Sequence, residues 1–137
     1  MKAVKDVMTK GVFSVQEDFS IYDVAEVMAK YDISGVVVLN KEGSAEGTLS
    51  RMDVLRPIAE GEDLENLRAK DIMTPCVITA DPEMSLEEAA MIMQKEGISR
   101  LFVCVDERVT PATLGKKYIH RAIGIISVSD IVRELSR

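Results

Sequence analysis

The chain has 137 residues, with 17 Lys plus Arg against 23 Asp plus Glu and a formal net charge of −6. An apolar share of 47%, with 4 prolines and 8 glycines, suits a globular fold and excludes collagen-like and low-complexity classes. The acidic balance argues against nucleic acid as a general partner, and no apolar run approaches the ~20 residues of a membrane span.

The elements read in chain order as follows. A short apolar strand is expected at Val12 to Val15. A helix follows, opened by Ser20 and Asp23 in a capping-box pattern, with an apolar stripe at Ile21, Val24, Ala25, Val27 and Met28. Strands at Val36 to Leu39 and Glu46 to Leu49 come next, then a helix near Arg51 to Ala59. An acidic linker occupies residues 61–68. The order then starts again. A strand is expected at Val77 to Thr79. The next helix is opened by Ser85 and Glu88, with its stripe at Leu86, Ala89, Ala90, Ile92 and Met93. Strands at Leu101 to Val105 and Arg121 to Ile126 pair, and a helix at Val128 to Leu135 closes the chain.

The chain therefore repeats itself. VKDVMTKGVFSV from Val4 returns as AKDIMTPCVITA from Ala69, 65 residues later, and GTLSRMDVL from Gly47 returns as GIISVSDIV from Gly124, 77 residues later. The second copy holds 12 extra residues within about 106–121, read as a longer hairpin or surface loop around Pro111, Gly115, Lys116 and Lys117. The fold class is α+β: two β-α-β-β-α copies, 1–60 and 69–137, each too small to be more than marginal alone at about 60 residues.

Both copies carry Gly-x-x-Ser-x-x-Asp: Gly47, Ser50, Asp53 and Gly124, Ser127, Asp130. Two readings stay open on spacing alone. Ser-x-x-Asp is a helix N-terminal box, worth ~1 kcal/mol at the cap. It also suits a nucleoside phosphate. A helix start after a strand offers free N–H groups to an anion, an ionised Asp accepts paired hydroxyls, and Gly permits close approach.

The doubled order, the Val7-Met8-Thr9 and Ile72-Met73-Thr74 entries and the two Gly-x-x-Ser-x-x-Asp motifs together resemble the CBS domain pair, named for cystathionine β-synthase. The resemblance covers Val4 to Leu135. It implies two repeats packed sheet to sheet about a pseudo-two-fold axis, a homodimer of such pairs, and an adenosine ligand (AMP, ADP or ATP, or S-adenosylmethionine). It also implies a sensor that regulates an unidentified protein partner without catalysis and without a cofactor or metal. In such pairs the helix Asp holds the ribose hydroxyls, and the entry strand of the opposite repeat completes each cleft. Carried over by residue, the stronger site comprises Thr9, Val12, Ser14, Arg100, Ser127, Ser129 and Asp130. The weaker comprises Thr74, Val77, Thr79, Ser50, Arg51 and Asp53. Arg100 matches a basic position that contacts phosphate. Its counterpart is Gly35, a departure, for which Arg51 is a candidate substitute. The alternative function is a pair with empty clefts, kept for dimerisation or protein interaction.

The remaining candidates are bland. Cys104 reads as a core hydrophobe and Cys76 as an accessible thiol. His120 reads as an exposed loop residue; a lone histidine argues against His-based metal or triad chemistry. MKAVKDVMTK lacks the apolar core of a secretion signal, and two cysteines form no framework, so the cytoplasm is the expected location.

Overall fold

A computed structural model describes residues 2–75, 78–108 and 118–136. They fall into two compact units. One is drawn from Met1–Val12, Ile78–Glu107 and His120–Arg137, the other from Phe13–Val77 and Arg108–Ile119.

The second of these holds a four-stranded sheet in the order β2-β3-β4-β5. Strand β2 (Ser14–Gln16) runs parallel to β3 (Gly35–Leu39), because helix α2 (Ile21–Lys30) forms the crossover between them. Ser20 caps α2 by accepting from the Asp23 N–H at 3.1 Å, and Ile21, Val24 and Met28 form its buried stripe. Ala25, expected on that stripe, is exposed. Strand β3 pairs antiparallel with β4 (Ala45–Ser50) through a turn organised by buried Asn40, whose Oδ1 accepts from the N–H groups of Glu42 and Ser44 at 3.0 and 2.9 Å. Helix α3 (Arg51–Ala59) follows β4 directly. The acidic linker then makes a single 3-10 turn at Leu64–Asn66 and returns to the start of α2, where the Ile21 N–H donates to the Leu67 carbonyl at 3.1 Å.

The other unit holds the sheet β1-β7-β6: β1 (Thr9–Lys10), β7 (Tyr118–Ser127) and β6 (Arg100–Arg108). Helix α5 (Leu86–Glu96) is capped by Ser85, which accepts from the Glu88 N–H at 3.1 Å. It ends on Gly97 in the left-handed region (φ 66°), where a Cβ would be strained. Helix α6 (Val128–Leu135) follows β7 directly.

Each unit borrows its entry segment from the other copy. Helix α1 (Val4–Val7) and β1 come from the first copy, yet Val4 is fully buried with Leu86, Met93, Leu101 and Ile126 of the second. Helix α4 (Ala69–Ile72) and β5 (Thr74–Pro75) come from the second copy, and Ala69 is fully buried with Val24, Val36 and Leu49 of the first. The strand expected at Val12 to Val15 is realised as β2, Ser14–Gln16, and β1 at Thr9–Lys10 is an additional strand ahead of it. Gly11 between them sits at φ 84°, a turn-forming conformation that interrupts extended pairing. In the second copy Val77 lies outside the described residues, and Ala80 forms a parallel bridge to Val103.

The motif glycines have a different partner from the one expected. A Cβ on Gly124 would lie 2.6 Å from the Thr9 carbonyl oxygen, and one on Gly47 2.7 Å from that of Thr74. The close approach is made by the entry strand: Lys10 sits opposite Gly124, and Pro75 opposite Gly47. The obstruction is backbone, so no rotamer change relieves it. Gly124→Ala is expected to destabilise the chain by about 1–3 kcal/mol, the usual range for overpacking. Urea denaturation checks this, and an unchanged midpoint would contradict the packing described.

Candidate functional site

The two Ser-x-x-Asp motifs stand where a strand ends and a helix begins. In the first unit the Ser127 N–H donates to Asp130 Oδ2 at 2.8 Å, and the Asp130 N–H donates back to Ser127 Oγ at 3.1 Å. In the second unit the Ser50 N–H donates to Asp53 Oδ2 at 2.8 Å, and the Asp53 N–H to Ser50 Oγ at 3.2 Å. Both are reciprocal capping boxes. The bland reading of the motif is therefore realised in full. It is compatible with the functional one, because a box takes up only one of the several acceptor positions of the carboxylate.

The two carboxylates differ in what is left over. A carboxylate accepts about four hydrogen bonds. Asp53 Oδ2 takes a second bond from Ser50 Oγ at 3.1 Å, and its Oδ1 accepts from Arg56 Nη2 at 3.2 Å. Asp130 Oδ1 accepts from Arg133 Nη1 at 3.2 Å. Among the described residues Asp53 therefore accepts three such bonds and Asp130 two. The Asp53 side chain is 9% exposed and that of Asp130 14%.

Around Asp130 the first unit gathers several expected residues. Thr9 is exposed on β1, opposite Ile125 of β7. Arg100 is exposed at the first position of β6. The Val128 N–H donates to the Ser99 carbonyl at 2.9 Å, which ties the start of α6 to the residue before Arg100. Ser129 is exposed on α6, and Val12 is half-buried. Ser14 lies on β2 and belongs to the second unit.

Around Asp53 the second unit gathers Thr74 on β5, opposite Thr48, and Ser50 opposite Gly35. Arg51 does not stand open as a substitute cation. Its Nη2 donates to Asp32 Oδ1 at 2.9 Å and its Nε to the Ile33 carbonyl at 3.2 Å, so it fastens the turn between α2 and β3. Asp32 sits in that turn at φ 48°, a left-handed conformation that Asp adopts more readily than most residues. Thr79 is half-buried and belongs to the first unit, and Val77 is not described.

Sequence reasoning passed over Arg56 and Arg133. Their signal was present: Asp-x-x-Arg occurs in both copies at the same 77-residue spacing as the motif itself. His120 also moves. It lies half-buried on β7, with Nδ1 2.9 Å from Asp106 Oδ1, and not in an exposed loop. Residues 109–117, including Lys116 and Lys117, lie outside the described residues. Cys104 is buried as expected, and Cys76 is not described. Among the described residues no His, Cys, Asp and Glu cluster could hold a metal ion, and no helix is long and apolar enough to cross a membrane. A groove on α5 lined by Glu88, Met91, Ile92, Gln94 and Lys95 contains none of the candidate residues.

Comparison with known proteins bears on the whole arrangement. Protein MJ1426 of Methanocaldococcus jannaschii is 30% identical over 96% of this chain and 90% of its own length. The CBS domain-containing protein YhcV of Bacillus subtilis is 28% identical over 96% of this chain and 84% of its own. Homoserine O-acetyltransferases of Methanococcus vannielii and Methanosalsum zhilinae match at 33% and 31% identity, and the chain spans only 20% and 24% of their length. Among solved structures, the CBS domain pair of protein MJ0100, in complex with 5′-methylthioadenosine and S-adenosyl-L-methionine, superposes with a TM-score of 0.78 at 24% identity. It covers 98% of this chain and 96% of that one. CBSX2 in complex with AMP gives 0.72 at 22% identity, over 98% and 96%. These two likenesses show the fold. The CBS domain sequence pattern itself matches residues 4–60 and 69–110. Two copies of one motif, each closed by the other's entry segment, are thus two CBS repeats, and the chain belongs to the CBS domain family.

Proposed function

We propose that the chain is a regulatory module that binds an adenosine ligand (AMP, ADP or ATP, or S-adenosylmethionine) and acts on a partner protein without catalysing a reaction. The observation that carries the reading is the Asp one turn into a helix, found twice, each time after a strand that pairs with an exposed threonine of a borrowed entry strand. A carboxylate there accepts from a ribose diol, while the helix start and a nearby cation suit phosphate. The structurally similar pair of MJ0100 is bound to 5′-methylthioadenosine and S-adenosyl-L-methionine, and that of CBSX2 to AMP, which supports the same ligand class here. A binding module rather than an enzyme is favoured because the Ser127 and Ser50 hydroxyl oxygens serve as helix caps, and the carboxylate that accepts from Ser50 Oγ is the capping Asp53 itself. The cytoplasm is the proposed location, and 1–60, 61–68 and 69–137 are the proposed repeat, linker and repeat.

The Asp130 site is the stronger of the two in this reading. Arg100 supplies a cation where the other copy has Gly35, and Asp130 has acceptor positions for both hydroxyls of a diol, whereas Asp53 keeps one. An acidic chain must concentrate positive charge locally to hold a phosphate.

A second reading has its own observation. Leu55 and Ile58 on α3 are 50% and 53% exposed, and their counterparts Val132 and Leu135 on α6 are 60% and 69% exposed. Apolar stripes repeated on both closing helices suit a homodimer of CBS pairs, with or without a ligand in the clefts. Sedimentation measures the dimer, and its presence is compatible with both readings.

Isothermal titration separates them. AMP, ATP and S-adenosylmethionine are titrated into the chain, and heat and saturation with at least one is the expected result; none with any would contradict ligand binding. At a hundredfold excess over Kd the bound ligand should stabilise the fold by about 2.7 kcal/mol, read as a rise in Tm. Asp130→Ala should weaken binding of the preferred ligand by about tenfold or more, the worth of hydrogen bonds to a charged group. Asp53→Ala should weaken it less, and equal losses would overturn the ranking of the sites.

A further inference from the structure

Arg133 and Arg56 occupy the same place in the two copies, and each donates to Oδ1 of its motif aspartate at 3.2 Å. The contact spans one helical turn, from i to i+3. The capping serine holds the opposite oxygen, Oδ2, at 2.8 Å in both copies. The carboxylate is therefore held at both ends. The backbone N–H fixes Oδ2, and the guanidinium stops Oδ1 from swinging about the Cβ–Cγ bond. A cap alone needs only the first of these contacts. Helices α1 and α4 also open with an aspartate that accepts from the cap N–H, Asp6 from Ala3 at 3.0 Å and Asp71 from Arg68 at 2.8 Å, yet they carry no Gly-x-x-Ser-x-x-Asp motif and have no arginine at the corresponding position: Thr9 and Thr74 stand there. The second hold accompanies the candidate site and not capping in general.

Resting on the adenosine-binding reading above, we infer that Arg133 is a positioning residue for ribose recognition, acting through Asp130, and that Arg56 does the same for Asp53. A ribose presents two hydroxyls on adjacent carbons, so its affinity depends on the direction of both carboxylate oxygens at once. A carboxylate pinned by one oxygen meets one hydroxyl well and searches for the other. A carboxylate pinned by both is ready for the pair. Asp130 makes two of about four bonds in this state, so the diol needs no displacement of the arginine. The Arg133 side chain is 75% exposed, so its replacement leaves no buried charge and the fold should persist.

The test compares AMP with 2′,3′-dideoxy-AMP, which lacks both hydroxyls. The ratio of their Kd values measures what the diol contributes. In Arg133→Gln that ratio should fall roughly threefold to fivefold, the worth of an exposed charge-assisted contact. Arg133→Lys should recover part of it. Circular dichroism and Tm of Arg133→Gln should stay close to those of the unmodified chain. An unchanged ratio, with both nucleotides weakened equally, would make Arg133 a structural residue and overturn the inference. A loss for AMP with none for adenosine would place Arg133 on the phosphate and overturn it too. Failure of the unmodified chain to bind AMP or adenosine would instead overturn the adenosine-binding reading, and this one with it.

Discussion

The structure depends on two short antiparallel pairings, β1 on β7 and β5 on β4, in which the entry segment of one copy lies against a glycine of the other. Each pairing is only two residues long, so hydrogen bonds alone make a weak join. Burial makes it stable. Val4 and Ala69, one helical turn before each pairing, are fully buried in the partner copy's core. Removing either would leave a cavity in a unit whose remaining residues come mostly from elsewhere in the chain. A unit of this size is marginal alone, and the exchange makes each copy's stability conditional on the other.

The same join sets the candidate site. Gly124 and Gly47 let the Met8-Thr9 and Met73-Thr74 backbones cross the strand three residues before the motif serine. The crossing brings Thr9 beside β7 and Thr74 beside β4, each on the strand that ends at a motif serine. The capping box then converts the strand end into a helix start and fixes the aspartate one turn in. Fold stability and the proposed ligand recognition thus draw on the same residues, with the glycine, serine and aspartate each serving the backbone first. Among the described residues the two sites differ in charge and acceptor capacity, at Arg100 against Gly35 and at the Ser50–Asp53 side-chain bond.

Much of this was legible in the sequence, for identifiable reasons. The stripes of α2 and α5 repeat at the helical period and open on serine caps, and Val36 to Val38 form an apolar run bounded by turn residues, so these elements declare themselves locally. The closing helices Arg51–Ala59 and Val128–Leu135 fall where the Ser-x-x-Asp boxes put them. Other features were not legible, because they are settled by distant partners. The four-residue helices α1 and α4 are too short to show a period. Strand β1 lies ahead of the strand expected at Val12 to Val15 and is defined only by its pairing to β7. The motif glycines pointed to a close approach but not to what approached. Arg51 looked available until the turn at Asp32 claimed it, whereas Arg56 and Arg133 carried a repeated spacing whose meaning needed the carboxylate geometry.

The central claim is that a ribose diol sits on Asp130. The most direct measurement is a crystal structure of the chain grown with AMP. The account predicts both ribose hydroxyls within about 3 Å of the Asp130 carboxylate oxygens, the ordinary hydrogen-bond range, with the Ser127 N–H still on Oδ2. AMP bound with its ribose directed away from Asp130, or bound elsewhere with this carboxylate untouched, would contradict it.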